Sequence, residues 1–66
     1  MNPQDAALIL TEAGWSEQRI AAEVGASQPT INRIKSGRQR ASYAVGAALV
    51  ELAAKRPAQE GKVANG

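Results

Sequence analysis

The segment from Glu17 to Ser36 constrains this chain most, because it holds two short helical patterns on either side of Gly25-Ala26-Ser27. A glycine can end one helix in the left-handed conformation, and a serine can cap the next. Apolar residues recur at helical spacing before and after this turn, at positions Ile20, Ala21, Val24, Ile31 and Ile34. The spacing predicts two packed helices joined by a tight turn, which is a helix-turn-helix.

The helix after the turn carries polar side chains on the side that faces away from its two isoleucines. At about 100° per residue, that side holds Gln28, Pro29, Asn32 and Arg33. Gln and Asn side chains pair with adenine, Arg pairs with guanine, and Pro can touch a thymine methyl group. We therefore interpret these four residues as base contacts in the major groove of DNA, with an ordinary solvated surface as the alternative.

Positive charge is concentrated in the same part of the chain. The net charge is only +2, but no Asp or Glu lies between Glu23 and Glu51. The overlap of basic residues with the motif favours a polyanionic partner. Candidates for contacts to DNA phosphates or to the edge of the groove are the polar and basic residues around the motif, namely Gln18, Ser27, Lys35, Ser36, Arg38, Gln39 and Arg40.

The residues before the motif predict one further helix. It runs from Pro3 to about Ala13, with Asn2 as its cap and Gly14 as its stop. Its apolar stripe consists of Ala6, Ile9, Leu10 and Ala13. Trp15 stands directly before the Ser16 cap of the next helix, where it can pack on Ile20, and this position favours core packing over stacking on bases.

The residues after the motif predict a last helix from Tyr43 to about Arg56, capped by Ser42. Its apolar residues form two stripes, and two stripes call for two partners. One stripe is Val45, Leu49 and Leu52, which we expect to face the core. The other is our candidate dimer interface, consisting of Tyr43, Ala47, Val50 and Ala54.

Composition narrows the class of protein. The chain has no Cys and no His, so the usual general base and the commonest metal ligands are missing. No Ser, Lys, Asp or Glu is spaced as a nucleophile with its base, so we expect no enzyme, metal or cofactor. No apolar run reaches the roughly 20 residues that span a bilayer. Residues Met1 to Gln4 lack the basic and apolar regions of a signal peptide, so we expect none. We predict one cytoplasmic domain at 1–56 and a flexible tail at 57–66.

Over about Ala6 to Leu52, the chain resembles the phage repressor and Cro family of helix-turn-helix proteins, also called xenobiotic-response-element-like. The resemblance rests on the spacing of Ile20-Ala21, Val24-Gly25, Ile31 and Ile34, followed by Ser36-Gly37-Arg38. It implies an all-α, lambda-repressor-like bundle of four or five short helices. It also implies that the four outward residues of the second motif helix face the major groove.

The chain departs from the family at two positions. Members often carry an arginine near Leu10 and a glutamate near Lys35, which form a buried ion pair, and neither charge is present here. We expect Leu10 to substitute apolar packing for that pair. The reversed charge at Lys35 favours a contact with phosphate.

We expect a sequence-specific regulator of transcription, of the small phage or prophage repressor type, that occupies a palindromic operator in double-stranded DNA as a homodimer. Two alternatives remain open at this stage. One is an antitoxin-like or accessory module whose main partner is a protein. The other is an accessory protein of DNA packaging or recombination.

Overall fold

All of the secondary structure in the computed structural model, which describes residues 1–55, is helical. The elements are α1 (Pro3–Glu12), α2 (Glu17–Val24), α3 (Gln28–Ser36) and α4 (Tyr43–Lys55). The predicted all-α bundle is thereby confirmed, and the predicted bounds of α2 and α3 agree with the structure. The flexible tail predicted at 57–66 lies outside the described residues.

The helices begin where the sequence places their caps. The side-chain oxygens of Asn2 and Ser16 accept hydrogen bonds from the backbone N–H groups of Asp5 and Arg19, at 2.8 and 3.0 Å. Ser42 does the same for the first turn of α4, at 3.2 Å. Each bond satisfies one of the backbone donors that a helix start leaves without an intrahelical partner. Local sequence therefore fixes the starts of these helices.

The core is small and depends on a few large side chains. The largest residues that are fully buried come from all four helices, and they are Leu10, Ile20, Ile31, Ile34 and Leu49. Trp15 is 6% exposed and belongs to the same cluster, which confirms the packing interpretation of this residue. Because so few side chains fill the core, each contributes a large share of the stability.

The buried face of α1 differs from the predicted stripe. The structure buries Ala6, Ala7 and Leu10, leaves Ile9 half-buried, and exposes Ala13. The helix ends at Glu12, so Ala13 is its C-cap with φ −81° and ψ 1°. Because α1 packs against both α3 and α4, its inward face needs small side chains on two sides. The predicted stripe was correct for Ala6 and Leu10 and omitted Ala7.

The inward face of α4 lies between the two stripes that the sequence predicts. It is formed by Gly46, Leu49 and Ala53, while Val45 and Leu52 are only partly buried. A Cβ atom on Gly46 would lie 3.0 Å from Cγ of Pro3 in α1. Small residues at the crossing thus let α1 and α4 approach closely. Of the stripe expected to face the core, Leu49 is fully buried, and Val45 and Leu52 pack against the core while remaining partly exposed.

Candidate nucleic-acid interface

The turn between α2 and α3 sets the position of α3. Gly25 adopts the left-handed conformation, with φ 77° and ψ 33°. The carbonyl oxygen of Ala21 accepts hydrogen bonds from the N–H groups of both Gly25 and Ala26. No heavy atom lies within 4 Å of a Cβ built on Gly25, so glycine is needed here for its backbone conformation and not for space. Ser27 then caps α3 by accepting from the N–H of Thr30 at 3.3 Å.

The inner side of α3 is fixed by two buried isoleucines, Ile31 and Ile34, which are 0% and 2% exposed. The four residues predicted to contact bases all lie on the exposed side, and they are Gln28, Pro29, Asn32 and Arg33. We call these four residues the reader face. The structure brings them together on one helix that is held firmly to the core.

The basic segment after α3 is tied to the reader face through one carbonyl group. The backbone oxygen of Arg33 accepts from the N–H groups of Arg38 and Gln39, at 2.9 and 3.3 Å, and from the hydroxyl of Ser36 at 3.1 Å. Arg38, Gln39 and Arg40 are exposed, as are Gln18, Ser27 and Ser36. These residues remain candidates for contacts to phosphate beside the reader face.

A bond from α1 also holds this end of α3. The side-chain amide of Gln4 donates to the backbone oxygen of Lys35 at 3.2 Å. Gly37 has φ 82°, and a Cβ atom there would lie 3.1 Å from the same amide nitrogen. Glycine at 37 therefore serves both the left-handed cap and the approach of Gln4. The sequence gave no sign of Gln4 in this role, because the bond joins residues 31 positions apart.

Glu17, the first residue of α2, contacts two residues of the reader face and was not among the predicted site residues. Its Oε1 accepts from Nε2 of Gln28 at 2.5 Å, and its Oε2 accepts from Nδ2 of Asn32 at 3.1 Å. The ammonium of Lys35 lies 2.7 Å from the same Oε2. One carboxylate thus joins two residues of the reader face to a lysine on the flank of α3. We call these four side chains the Glu17 network.

Lys35 is consequently placed differently from Arg38 and Arg40, which are exposed and form no ion pair within residues 1–55. Its side chain is 27% exposed and that of Glu17 is 18% exposed, so the ion pair is shielded from much of the solvent. The charge of Lys35 is balanced within the protein. A contact between Lys35 and phosphate stays a prediction.

The Glu17 network lowers the pKa of Glu17 below the ordinary value of a glutamate. The hydrogen bond from Lys35 has the largest effect, followed by those from Asn32 and Gln28. Each donor favours the charged form of the carboxylate. Because the folded-state pKa is depressed, the contribution of Glu17 to stability is present at neutral pH and is lost as the pH falls through that lowered pKa.

We therefore expect the wild-type protein to unfold at a higher urea concentration than Glu17→Gln at pH 7. The two urea midpoints should converge as the pH is lowered below the ordinary pKa range of glutamate. Urea unfolding followed by circular dichroism over a series of pH values measures this gap. Glu23→Gln removes an exposed glutamate from the same helix and serves as the control for loss of charge. A gap that is constant with pH would show that the network does not stabilise the charged form.

Arg19 covers the outer face of the buried tryptophan. Its guanidinium carbon lies 3.9 Å from the centroid of the Trp15 ring, which is a cation–π distance. This contact occupies the tryptophan face that a base would need for stacking. The geometry is consistent with a structural role for Trp15.

The residues of the candidate dimer interface are unequally exposed. Tyr43 is 92% exposed, and Ala47 and Ala54 are also exposed. Val50 is half-buried and packs against the core of its own chain. Together with Pro3 and Gly46, Tyr43, Ala47 and Val50 line a shallow apolar depression between α1 and α4. This surface lies on a different helix from the reader face.

Comparisons of the chain with protein-family models, with curated proteins and with solved structures give no match. Among residues 1–55, no helix is long and apolar enough to cross a membrane. The functional interpretation consequently depends on the reader face, the basic segment and the Glu17 network.

Proposed function

We propose that this protein is a sequence-specific regulator of transcription that binds double-stranded DNA by placing α3 in the major groove. The observation that carries the proposal is the reader face. Four exposed side chains suited to base edges project from one helix, and the exposed cations Arg38 and Arg40 follow the end of that helix. A helix that presents its first turns to the groove, with basic residues at its flank, is the arrangement by which helix-turn-helix proteins read DNA.

The side-chain chemistry separates residues that contact bases from residues that contact phosphates. Arg33 can pair with O6 and N7 of guanine, and Gln28 and Asn32 can pair with adenine. Among residues 1–55 the guanidinium of Arg33 has no ion-pair partner, so it is available to a base. Arg38 and Arg40 lie beyond the end of α3, where a cation positions the protein on the phosphate backbone without reading the sequence.

Arg38→Ala is expected to weaken binding to every duplex by a similar factor. The loss of one phosphate contact should reduce the slope of log affinity against log salt by about 0.9. Titrations of a selected site and of a random duplex at several salt concentrations measure both quantities. Lys55→Ala removes the same charge from α4, outside the motif, and should leave the slope unchanged. A loss confined to the selected site would instead make Arg38 a base reader.

We further propose that two copies bind one operator, with the candidate interface of α4 as their contact surface. A single helix contacts only a few base pairs, and a two-fold dimer doubles the site by reading half-sites about 34 Å apart. The assignment is supported by contiguous apolar surface, because the exposed Tyr43 and Ala47 lie beside Val50 in one shallow depression, and contiguous apolar patches mark interaction sites. The same surface would also suit a different protein, as in an antitoxin-like module.

Ala47→Glu should abolish the two-copy complex on DNA while leaving the fold intact, because Ala47 is exposed. A glutamate there would place a charge in the centre of the apolar stripe. Sedimentation of the protein with a palindromic duplex measures the stoichiometry. Ala44→Glu, at another exposed position of α4, is the matched control. A two-copy complex that tolerates Ala47→Glu would refute this interface.

A further inference from the structure

The Glu17 network points to a second layer of sequence recognition, beyond the residues that touch DNA. Its three donors come from three positions of α3, and all converge on a single residue of α2. Two of them, Gln28 and Asn32, belong to the reader face. A residue that bonds to both must influence how each meets a base.

A carboxylate has acceptor atoms only, whereas a primary amide has two N–H donors on one side and an oxygen acceptor on the other. In contact with Glu17, each amide must therefore turn its NH₂ group toward the carboxylate. The amide oxygen then lies on the side of the amide carbon away from Glu17. Each amide keeps its oxygen and one N–H for another partner.

This orientation selects among base edges. An amide that presents its oxygen accepts a hydrogen bond from an exocyclic amino group, which adenine carries at N6 and cytosine at N4. Guanine and thymine offer only acceptors at those positions of the major groove, so an oxygen turned toward them finds no donor. The reverse orientation, with the NH₂ group toward the base, would favour the acceptors of guanine or thymine.

We propose that Glu17 is a specificity-determining positioning residue, which holds Gln28 and Asn32 so that their amide oxygens read the exocyclic amino groups of adenine or cytosine. The inference deepens the proposed function and rests on it. Glu17 itself needs no contact with DNA, and its position was not among the predicted site residues.

Lys35 has a separate part in the same network. Its ammonium balances the carboxylate, which would otherwise repel nearby phosphates. Replacing Glu17 by glutamine should therefore have two effects on binding. The ammonium of Lys35 loses its balancing charge, which raises affinity for all DNA. The side-chain amides of Gln28 and Asn32 can rotate by 180°, which lowers discrimination between bases.

The test compares sequences selected from random duplex DNA by the wild-type protein, Glu17→Gln, Lys35→Met and Glu23→Gln. At the positions read by Gln28 and Asn32, the wild type is expected to exclude guanine and thymine by roughly 5- to 100-fold. Glu17→Gln should lose most of that exclusion while its affinity for random DNA rises. Lys35→Met leaves the carboxylate without its balancing cation and should lower affinity for all DNA. The control Glu23→Gln lies outside the network and should keep both the preference and the affinity.

A second readout uses the protein without DNA. In nitrogen-15 NMR spectra, the side-chain NH₂ protons of Gln28 and Asn32 should exchange with water faster in Glu17→Gln than in the wild type. The NH₂ group of the exposed Gln39 should be unaffected. A merely structural role for Glu17 would alter stability without altering base preference or these two groups selectively.

The outcomes separate this inference from the proposed function. If the wild type enriches no sequence, the proposed function fails and the inference fails with it. If the wild type enriches a sequence but Glu17→Gln enriches the same one with equal discrimination, only the inference is overturned. Unchanged exchange at Gln28 and Asn32 in Glu17→Gln would overturn it as well.

Discussion

Ile31→Ala is expected to destabilise the protein by about 2–5 kcal/mol, the range for truncating a large aliphatic side chain in a core. Ile31 is fully buried and holds α3 against the other helices. At about 0.05–0.15 kcal/mol per residue, a chain of 66 residues has a total stability of roughly 3–10 kcal/mol. The substitution therefore removes a large fraction of the stability. The melting temperature, followed by circular dichroism at 222 nm, should fall by more than about 10 °C.

Leu8→Ala is the matched control, because Leu8 is an aliphatic residue of α1 that is 39% exposed. Its truncation leaves little cavity and places a better helix former in the same position, so we expect a change of less than about 1 kcal/mol. Similar losses for the two variants would contradict a core centred on the isoleucines of α3.

Arg33→Ala should reduce affinity for the selected operator by about 1–3 kcal/mol per half-site and relax the base preference at one position. The side chain is exposed, and its removal leaves the buried side of α3 unchanged. Competition titrations with the selected duplex and with single base-pair variants measure both effects. Arg33→Ala should thus change the base preference, whereas Arg38→Ala should weaken binding to all duplexes alike.

Arg33→Lys provides the control for charge. Lysine retains the positive charge but lacks the planar fork that binds guanine through two hydrogen bonds. Arg33→Lys should therefore bind random DNA as well as the wild type does, but the preference at the base pair read by Arg33 should stay relaxed. Equal losses for Arg33→Ala on selected and random DNA would show that Arg33 only contacts phosphate.

The sequence predicts the helix-turn-helix well because local rules determine it. Ser16 and Ser27 cap their helices, Gly25 and Gly37 end theirs with positive φ, and the isoleucine spacing identifies the buried side of α3. None of these features requires knowledge of a distant residue. The outward position of the reader face follows from the same periodicity.

What the sequence could not supply is the set of contacts between helices. The buried face of α4 lies between two apolar stripes because Gly46 and Ala53 allow close packing, and a pattern of large apolar residues overlooks small ones. Glu17 contacts residues 11, 15 and 18 positions away. No periodicity links such residues. The positive charge at Lys35 was a partial signal, since a lysine next to the inward-facing Ile34 favours a partner on a neighbouring helix.

Selection of bound sequences from random duplex DNA by the wild-type protein tests the central claim most directly, because it reports on specificity and symmetry together. We predict an enriched palindrome whose half-sites are centred about one helical turn apart, with preferences that relax individually in Arg33→Ala and Glu17→Gln. If the bound DNA shows no enriched sequence, and affinity varies with salt concentration but not with sequence, the assignment of α3 as a reader of DNA is contradicted.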